Sequence, residues 1–119
     1  GLRETAPHRV GPPLLQGGGP IQIVGDPKQR IRRAAVCAGA AGRLPLEHRR
    51  SADADVVVTG EIRHHDALTF LRLGKCAIAV GHWESEWPVL PTLAARLKSA
   101  VAGLDPVVSR ADAGPLRIV

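Results

Sequence analysis

The stretch that decides the fold of this chain is residues 79–88, Ala79-Val80-Gly81-His82-Trp83-Glu84-Ser85-Glu86-Trp87-Pro88. An apolar run with β-forming residues precedes it, and an amphipathic segment follows it to about residue 102. This order predicts a strand that ends at Gly81 and a helix that follows. Loops that leave the carboxyl ends of parallel strands are where ligands collect in α/β sheets. We therefore expect any chemistry of this chain at the loop after Gly81.

The same plan occurs twice earlier in the chain. Residues 32–37 and 55–59 are strand-like runs that end close to Gly39 and Gly60, and each is followed by a predicted helix. Right-handed connections would bring the three loops to one edge of the sheet. Residues 21–24 add a predicted edge strand or hairpin arm. The predicted fold class is α/β, with strand-helix repeats around a mixed, mainly parallel sheet.

The apolar spacing also predicts the extents and inward faces of the helices. One helix is expected from Leu44 to about Ala52. The next is expected to end at Gly74, in the position that favours a left-handed residue. The predicted inward residues of the second helix are Ala67, Leu68, Phe70 and Leu71. Those of the third helix are Leu90, Leu93, Ala94 and Leu97. The last strand candidates are Pro106–Ser109 and Leu116–Val119.

Length and composition limit the classes of protein. The 119 residues suffice for one domain or part of a larger one. Residues 1–20 are rich in Pro and Gly, which predicts a loop or linker before a domain over residues 21–119. No apolar h-region and no run of about eighteen apolar residues is present, which predicts a cytoplasmic protein that does not enter a membrane. The net charge of +5 permits anionic partners, but three aromatic residues argue against a nucleic-acid platform.

The two cysteines predict no redox or zinc motif. Cys37 and Cys76 lie in separate apolar runs, without the Cys-x-x-Cys spacing that such motifs need. We expect two free, buried thiols.

His82 and Glu86 are the principal candidate site residues. They lie four residues apart, which places both on one side of a helix within reach of one ion. The alternative is structural, with Ser85 capping the next helix, Glu84 and Glu86 at its positive end, and His82 as a hydrogen-bonding loop residue.

The converging loops supply further candidates. Glu61, His64 and His65 follow the second strand, and neighbouring helical residues diverge by about 100°, so we expect only His65 at the site. The backbone of residues 39–42 could form an anion nest or a simple tight turn. Thr59 and Ser85 carry hydroxyls but lack the sequence context of an activated nucleophile.

Three segments together resemble the Nif-three-like family of dinuclear-metal proteins, some of which are called GTP cyclohydrolase 1 type 2 homologues. The resemblance covers roughly residues 21–102 and is carried by Arg33-Ala34-Ala35-Val36-Cys37-Ala38-Gly39, Asp55-Val56-Val57-Val58-Thr59-Gly60-Glu61-Ile62-Arg63-His64-His65-Asp66-Ala67-Leu68 and Gly81-His82-Trp83-Glu84-Ser85-Glu86. It implies the C-terminal half of a two-half α/β fold that assembles into a toroidal hexamer. The family's Gly-His-x-x-x-Glu motif implies His82 and Glu86 as metal ligands, and the second segment implies that His65 faces the metals.

The chain departs from the family pattern in two places. The family's other ligands, a His-His pair and an Asp, come from an N-terminal half that this sequence does not contain. Ala38, Ala41 and Arg43 stand where the family's small loop has Gly or Ser. The chain is therefore a fragment, or a partner supplies the missing half, or the dinuclear site has been lost.

The sequence thus predicts a divalent-metal protein and candidate hydrolase that acts through a metal-activated water. His82 and Glu86 are the predicted ligands of Zn, Mn or Fe, with two ions in the full-length protein, and His65 and Glu61 are the predicted catalytic residues. The expected partners are a small-molecule substrate and further copies of the chain. The alternative is a non-enzymatic scaffold or regulatory ring that binds an anionic partner.

Overall fold

A computed structural model of the chain describes residues 21–116. Within that range lie four strands and four helices, in the order β1 (Gln22–Val24), β2 (Ala34–Cys37), α1 (Leu44–Glu47), β3 (Val56–Thr59), α2 (His64–Arg72), β4 (Cys76–Ala79), α3 (His82–Glu86) and α4 (Val89–Ala100). No helix in this part of the chain is long and apolar enough to cross a membrane. The predicted linker over residues 1–20 lies outside the described residues, as does the last strand candidate beyond Leu116.

The strands form one sheet in the spatial order β1-β4-β3-β2. Strands β2, β3 and β4 are parallel, with Ala35 opposite Val57 and Val57 opposite Ala77, and β1 pairs antiparallel with β4. The prediction of a mixed, mainly parallel sheet with an edge strand at residues 21–24 is confirmed. Strands β3 and β4 are continuous apolar runs, which is typical of central strands that are covered on both faces.

The core lies where α2 packs on the sheet. Val57, Phe70 and Ala77 are fully buried at its centre. The predicted inward face of α2 is partly wrong, because Leu68 and Leu71 are exposed while Asp66 is buried beside Phe70. Asp66 and Phe70 lie four residues apart on one face of the helix. Leu68, two residues from each of them, lies on the opposite face. Gly74 follows the helix with φ +64°, as predicted for a left-handed residue at its end.

Helix α1 is shorter than predicted. It ends at Glu47, and His48 is already extended, with φ −79° and ψ 129°. The amides of Ser51 and Ala52 bond the His48 carbonyl, so the chain continues as turns rather than helix. The residues after Glu47 are polar and exposed, and a short helix without an apolar face to bury is unstable in water.

The segment after Gly81 forms two helices instead of the single one predicted. Pro88 follows α3, and because proline has no N–H, it cannot continue the ladder of helical hydrogen bonds. Along α4, Leu90, Leu93, Ala94 and Leu97 share one face as predicted, but this face borders residues 106–109 rather than the sheet, and Leu93 and Leu97 are exposed. The predicted strand at 106–109 is wrong, since no neighbouring strand within residues 21–116 pairs with it.

Both cysteines are free, as predicted. Cys76 is buried in β4, and its Sγ lies 3.1 Å from Gln29 Oε1, whereas Cys37 at the end of β2 is only half-buried. The two thiols therefore belong to different strands and form no common motif.

Candidate functional site

The loops after β2, β3 and β4 meet at one edge of the sheet, as predicted. The Gly60 amide donates to the Gly39 carbonyl over 3.0 Å, and the Gly81 amide donates to the Gly60 carbonyl over 2.8 Å. Gly60 has no room for a side chain, because an added Cβ would lie 2.6 Å from the Gly39 oxygen and 2.6 Å from Ser85 Oγ. Close backbone contact between the loops therefore requires glycine here.

Two hydroxyls fasten these loops to each other. Ser85 Oγ accepts a hydrogen bond from the Gly39 amide over 2.8 Å and donates to the His82 carbonyl over 2.8 Å. Thr59 donates its hydroxyl proton to the Gly39 carbonyl over 3.1 Å. Helix α4 has no side-chain cap at its first turn, so Ser85 does not have the capping role of the structural alternative. Both hydroxyls hold the backbone of the site in place.

His82 lies between two carboxylates. Its Nδ1 is 3.3 Å from Glu61 Oε1, and its Nε2 is 3.3 Å from Glu86 Oε1. The side chains of His82, Glu61 and Glu86 are 44%, 54% and 55% exposed, so all three are accessible from solvent. The Glu61 carboxylate beside Nδ1, together with the negative charge of Glu86, raises the pKa of His82, and partial desolvation opposes this effect.

A cavity of about 530 Å³ opens beside this group. Its lining includes Glu61 from the loop after β3, Gln22 and Ala79 from the sheet, four residues of α3 and the segment 114–116. The residues from α3 are His82, Trp83, Glu84 and Glu86. The segment 114–116 lies against Trp83. Trp83 Nε1 donates a hydrogen bond to Asp112 Oδ1 over 3.2 Å, and an added Cβ on Gly114 would lie 3.2 Å from the Trp83 ring. The sequence did not predict this part of the cavity lining, because no local pattern links residues 112–116 to Trp83.

The predicted catalytic residue His65 lies on the first turn of α2. Its Nε2 is 3.6 Å from Asp66 Oδ1, and its side chain is exposed. Within residues 21–116, the cavity beside His82 has Glu61 in its lining and not His65. The structure thus brings Glu61, His82 and Glu86 together and leaves His65 outside the lining of this cavity.

Asp66 is a buried carboxylate that sequence reasoning did not single out. It is 1% exposed, and its Oδ2 accepts a hydrogen bond from Arg63 Nε over 2.9 Å. The sequence does carry a signal for this ion pair, because Asp66 stands three positions after the basic residue Arg63 at the start of a helix. Oδ1 has no hydrogen-bond partner among the described residues.

The small loop at residues 39–42, where an anion nest was one prediction, borders a second cavity of about 310 Å³. Arg43 and Arg63 line it, and so do the carboxylates of Glu61 and Asp66. These carboxylates oppose an anion, so the geometry agrees better with the alternative of a tight turn.

The donor set fits a divalent ion in part. Imidazole nitrogen and carboxylate oxygen are ordinary ligands of zinc, manganese and iron. Gly39 packs directly against both groups, because an added Cβ there would run into Glu86 Oε1 and lie 3.3 Å from His82 Nε2. No three His, Cys, Asp or Glu side chains within residues 21–116 are arranged to hold one ion. Glu61 and Glu86 flank opposite ring nitrogens, so an ion at Nε2 would meet only two of these side chains, His82 and Glu86.

Comparison of the sequence with protein families identifies a family that covers most of the chain. Residues 10–115 match the family described as Duf34/NIF3 (NGG1p interacting factor 3). A relative named GTP cyclohydrolase 1 type 2 homolog from Mycobacterium leprae is 41% identical over 81 residues, which are 67% of this chain and 21% of the relative. A relative of the same name from Mycobacterium tuberculosis is 37% identical over 97 residues, 81% of this chain and 24% of the relative. The chain spans about a quarter or less of the length of these curated relatives.

The fold also matches a solved structure. A Bacillus cereus protein related to NIF3 superposes with a TM-score of 0.66 over 86% of this chain and 29% of that protein, at 22% identity. At this identity the likeness concerns the fold alone.

Proposed function

Because the chain belongs to the Duf34/NIF3 family, we propose that it contributes two ligands, His82 and Glu86, to a divalent-metal site, and that the assembled protein is a metal-dependent hydrolase. The observation that carries this proposal is the pairing of His82 Nε2 with Glu86 Oε1, 3.3 Å apart, at the edge of the sheet where the three loops meet.

The chemistry of the proposed site divides between the ion and the side chains. A bound zinc, manganese or iron(II) ion would supply Lewis acidity, which brings the pKa of a water molecule down to near neutrality. His82 and Glu86 would hold the ion, and their common helix α3 fixes their separation. The 530 Å³ cavity beside them would admit a small-molecule substrate.

His65 is the proposed proton carrier. Its imidazole is exposed and follows the same strand-end loop as Glu61, and imidazole exchanges protons near neutral pH.

We further propose that the site is completed by residues outside 21–116, in a homo-oligomer or with a further part of the family fold. Two side-chain ligands hold a divalent ion weakly, because water competes for the remaining positions. The chain matches only about a quarter of the length of its relatives, which supports a site shared with other segments.

Equilibrium dialysis against manganese, zinc and iron(II), with the ion counted per chain, tests the metal proposal. We expect the wild-type chain to concentrate at least one of these ions, and His82→Ala and Glu86→Ala to lose most of it. Glu84→Ala is the matched control, because Glu84 lines the same cavity but flanks neither ring nitrogen of His82. Equal, negligible retention by wild type and His82→Ala would reject metal binding and favour the scaffold alternative.

The hydrolase proposal has a separate test. A chromogenic phosphate diester, incubated with the ion-loaded chain, should be hydrolysed faster than with His82→Ala under the same ion concentration. Equal rates for the two proteins would leave a metal site without hydrolase activity toward this class of ester.

A further inference from the structure

We infer that Glu61 is a positioning residue, which holds the His82 ring so that Nδ1 carries the proton and Nε2 is free beside Glu86. This inference rests on the proposed function, because Glu61 and Glu86 lie equally far from the two ring nitrogens and a metal at Nε2 is what leaves Nδ1 as the protonated nitrogen. Glu61 Oε1 lies 3.3 Å from Nδ1, on the side of the ring opposite Glu86. The sequence predicts Glu61 as catalytic, and the geometry points to an action through His82.

The backbone of Glu61 is fixed independently of its side chain. Its amide donates to the Gly39 carbonyl over 3.1 Å, and the preceding Gly60 amide donates to the same oxygen. Glu61 therefore approaches the ring from a rigid junction between β2 and β3. Glu86, by contrast, is on the same helix as His82, four residues later. The two carboxylates come from different elements, so they can hold the ring from two sides.

A neutral imidazole has one N–H and one free electron pair, and it can bind an ion only through the unprotonated nitrogen. A histidine that binds a metal ordinarily donates its other N–H to a carboxylate or carbonyl, which fixes the tautomer and the ring orientation. Glu61 is placed to accept this proton. Nε2 is then the nitrogen that faces Glu86 and the backbone of Gly39, where an added Cβ would lie 3.3 Å away.

Nitrogen-15 NMR of the histidine side chains, without any metal, tests the tautomer. At a pH where His82 is neutral, we expect the wild-type ring to be protonated mainly at Nδ1. Glu61→Ala should shift the proton toward Nε2, where Glu86 remains as acceptor. Glu61→Gln keeps an acceptor oxygen and should retain part of the Nδ1 form. Glu84→Ala, which removes a carboxylate from the same cavity, should leave the tautomer unchanged.

Equilibrium dialysis of the same variants gives the second readout. Loss of the carboxylate beside a metal-binding histidine typically weakens metal affinity by about 10–100-fold, and we expect this of Glu61→Ala, with a smaller loss in Glu61→Gln. The Glu61 side chain is 54% exposed, so both variants should fold, which amide NMR spectra can verify.

The results distinguish this inference from the proposed function. A wild-type ring protonated mainly at Nε2, or a tautomer unchanged in Glu61→Ala, would overturn the positioning role whether or not metal binds. A wild-type chain that binds no ion would overturn the proposed function, while the tautomer would still decide the role of Glu61. Unchanged metal affinity in Glu61→Ala, with metal bound by wild type, would also contradict the inference.

Discussion

Ser85 Oγ accepts a hydrogen bond from the Gly39 amide over 2.8 Å, although 46 residues separate the two along the chain. The same oxygen donates to the His82 carbonyl. This bond joins the loop after β2 to the helix that carries His82 and Glu86. The candidate site therefore depends on a contact that no local pattern encodes.

Ser85→Ala should lower the free energy of unfolding by about 1–3 kcal/mol, because it leaves the buried Gly39 amide without an acceptor. Urea unfolding followed by circular dichroism measures the change. Ser99→Ala removes a hydroxyl that donates to the Ala95 carbonyl on the exposed helix α4, and we expect it to change stability by about 0.5 kcal/mol or less. Equal effects of the two substitutions would contradict the role of Ser85.

Gly39→Ala should abolish metal binding as well as destabilise the fold. The residue has φ +66°, which strains any L side chain, and the new Cβ would displace the Glu86 carboxylate from its place beside His82 Nε2. Gly74→Ala is the matched control, because Gly74 has φ +64° and nothing within 4 Å of an added Cβ. We expect both to lose about 1 kcal/mol or more in urea unfolding. Only Gly39→Ala should lose the ion in dialysis, and retention by both would refute the location of the site.

The raised pKa of His82 predicts a pH dependence of stability. Because the folded-state pKa lies above the ordinary value of 6.5, protonated His82 stabilises the folded chain at pH below that value. This contribution is lost as the pH rises through the folded-state pKa. Urea unfolding of the metal-free wild type and of His82→Gln, from about pH 5 to about pH 9, measures the difference. A constant difference across that range would show that Glu61 and Glu86 do not favour the charged ring.

Asp55 predicts the opposite dependence. Its Oδ2 accepts hydrogen bonds from the amides of Arg33 and Arg32, each over 2.8 Å, and these bonds lower its pKa below the ordinary value of 3.8. The contribution of the carboxylate is fully present above 3.8 and is lost as the pH falls through the lowered folded-state pKa.

Asp55→Asn should therefore destabilise the chain at neutral pH and raise the pH at which acid unfolds it, as measured by circular dichroism. Asp105→Asn is the control, since Asp105 is 78% exposed and pairs only with the surface residue Lys98 among its described contacts. A shift in the acid midpoint as large for Asp105→Asn as for Asp55→Asn would contradict this prediction.

Phe70→Ala tests which face of α2 is buried. Phe70 is 1% exposed at the centre of the core, and the substitution should cost about 3–5 kcal/mol through lost burial and the cavity it leaves. Leu71→Ala, at the neighbouring exposed position, should cost far less. Urea unfolding measures both, and similar losses would mean that the two side chains share the core face.

The sequence alone determined the four strands of the sheet, the parallel arrangement of β2, β3 and β4, and the meeting of their loops at Gly39, Gly60 and Gly81, although it also predicted a strand at 106–109 that does not form. It also determined the pairing of His82 with Glu86, because residues four apart on a helix are neighbours whatever surrounds them. These features follow from periodicity, glycine positions and the handedness of strand-helix-strand connections, all of which are local or general rules.

Only the tertiary structure decided what surrounds that pair. It placed Glu61 against the second nitrogen of His82, and the segment containing Gly114 against Trp83. It also ended α1 at Glu47 and turned Leu68 away from the core, against the pattern of apolar residues. The physical reason is that these outcomes depend on which surfaces the sheet leaves uncovered and on contacts between distant loops. Residue spacing along the chain fixes neither of them.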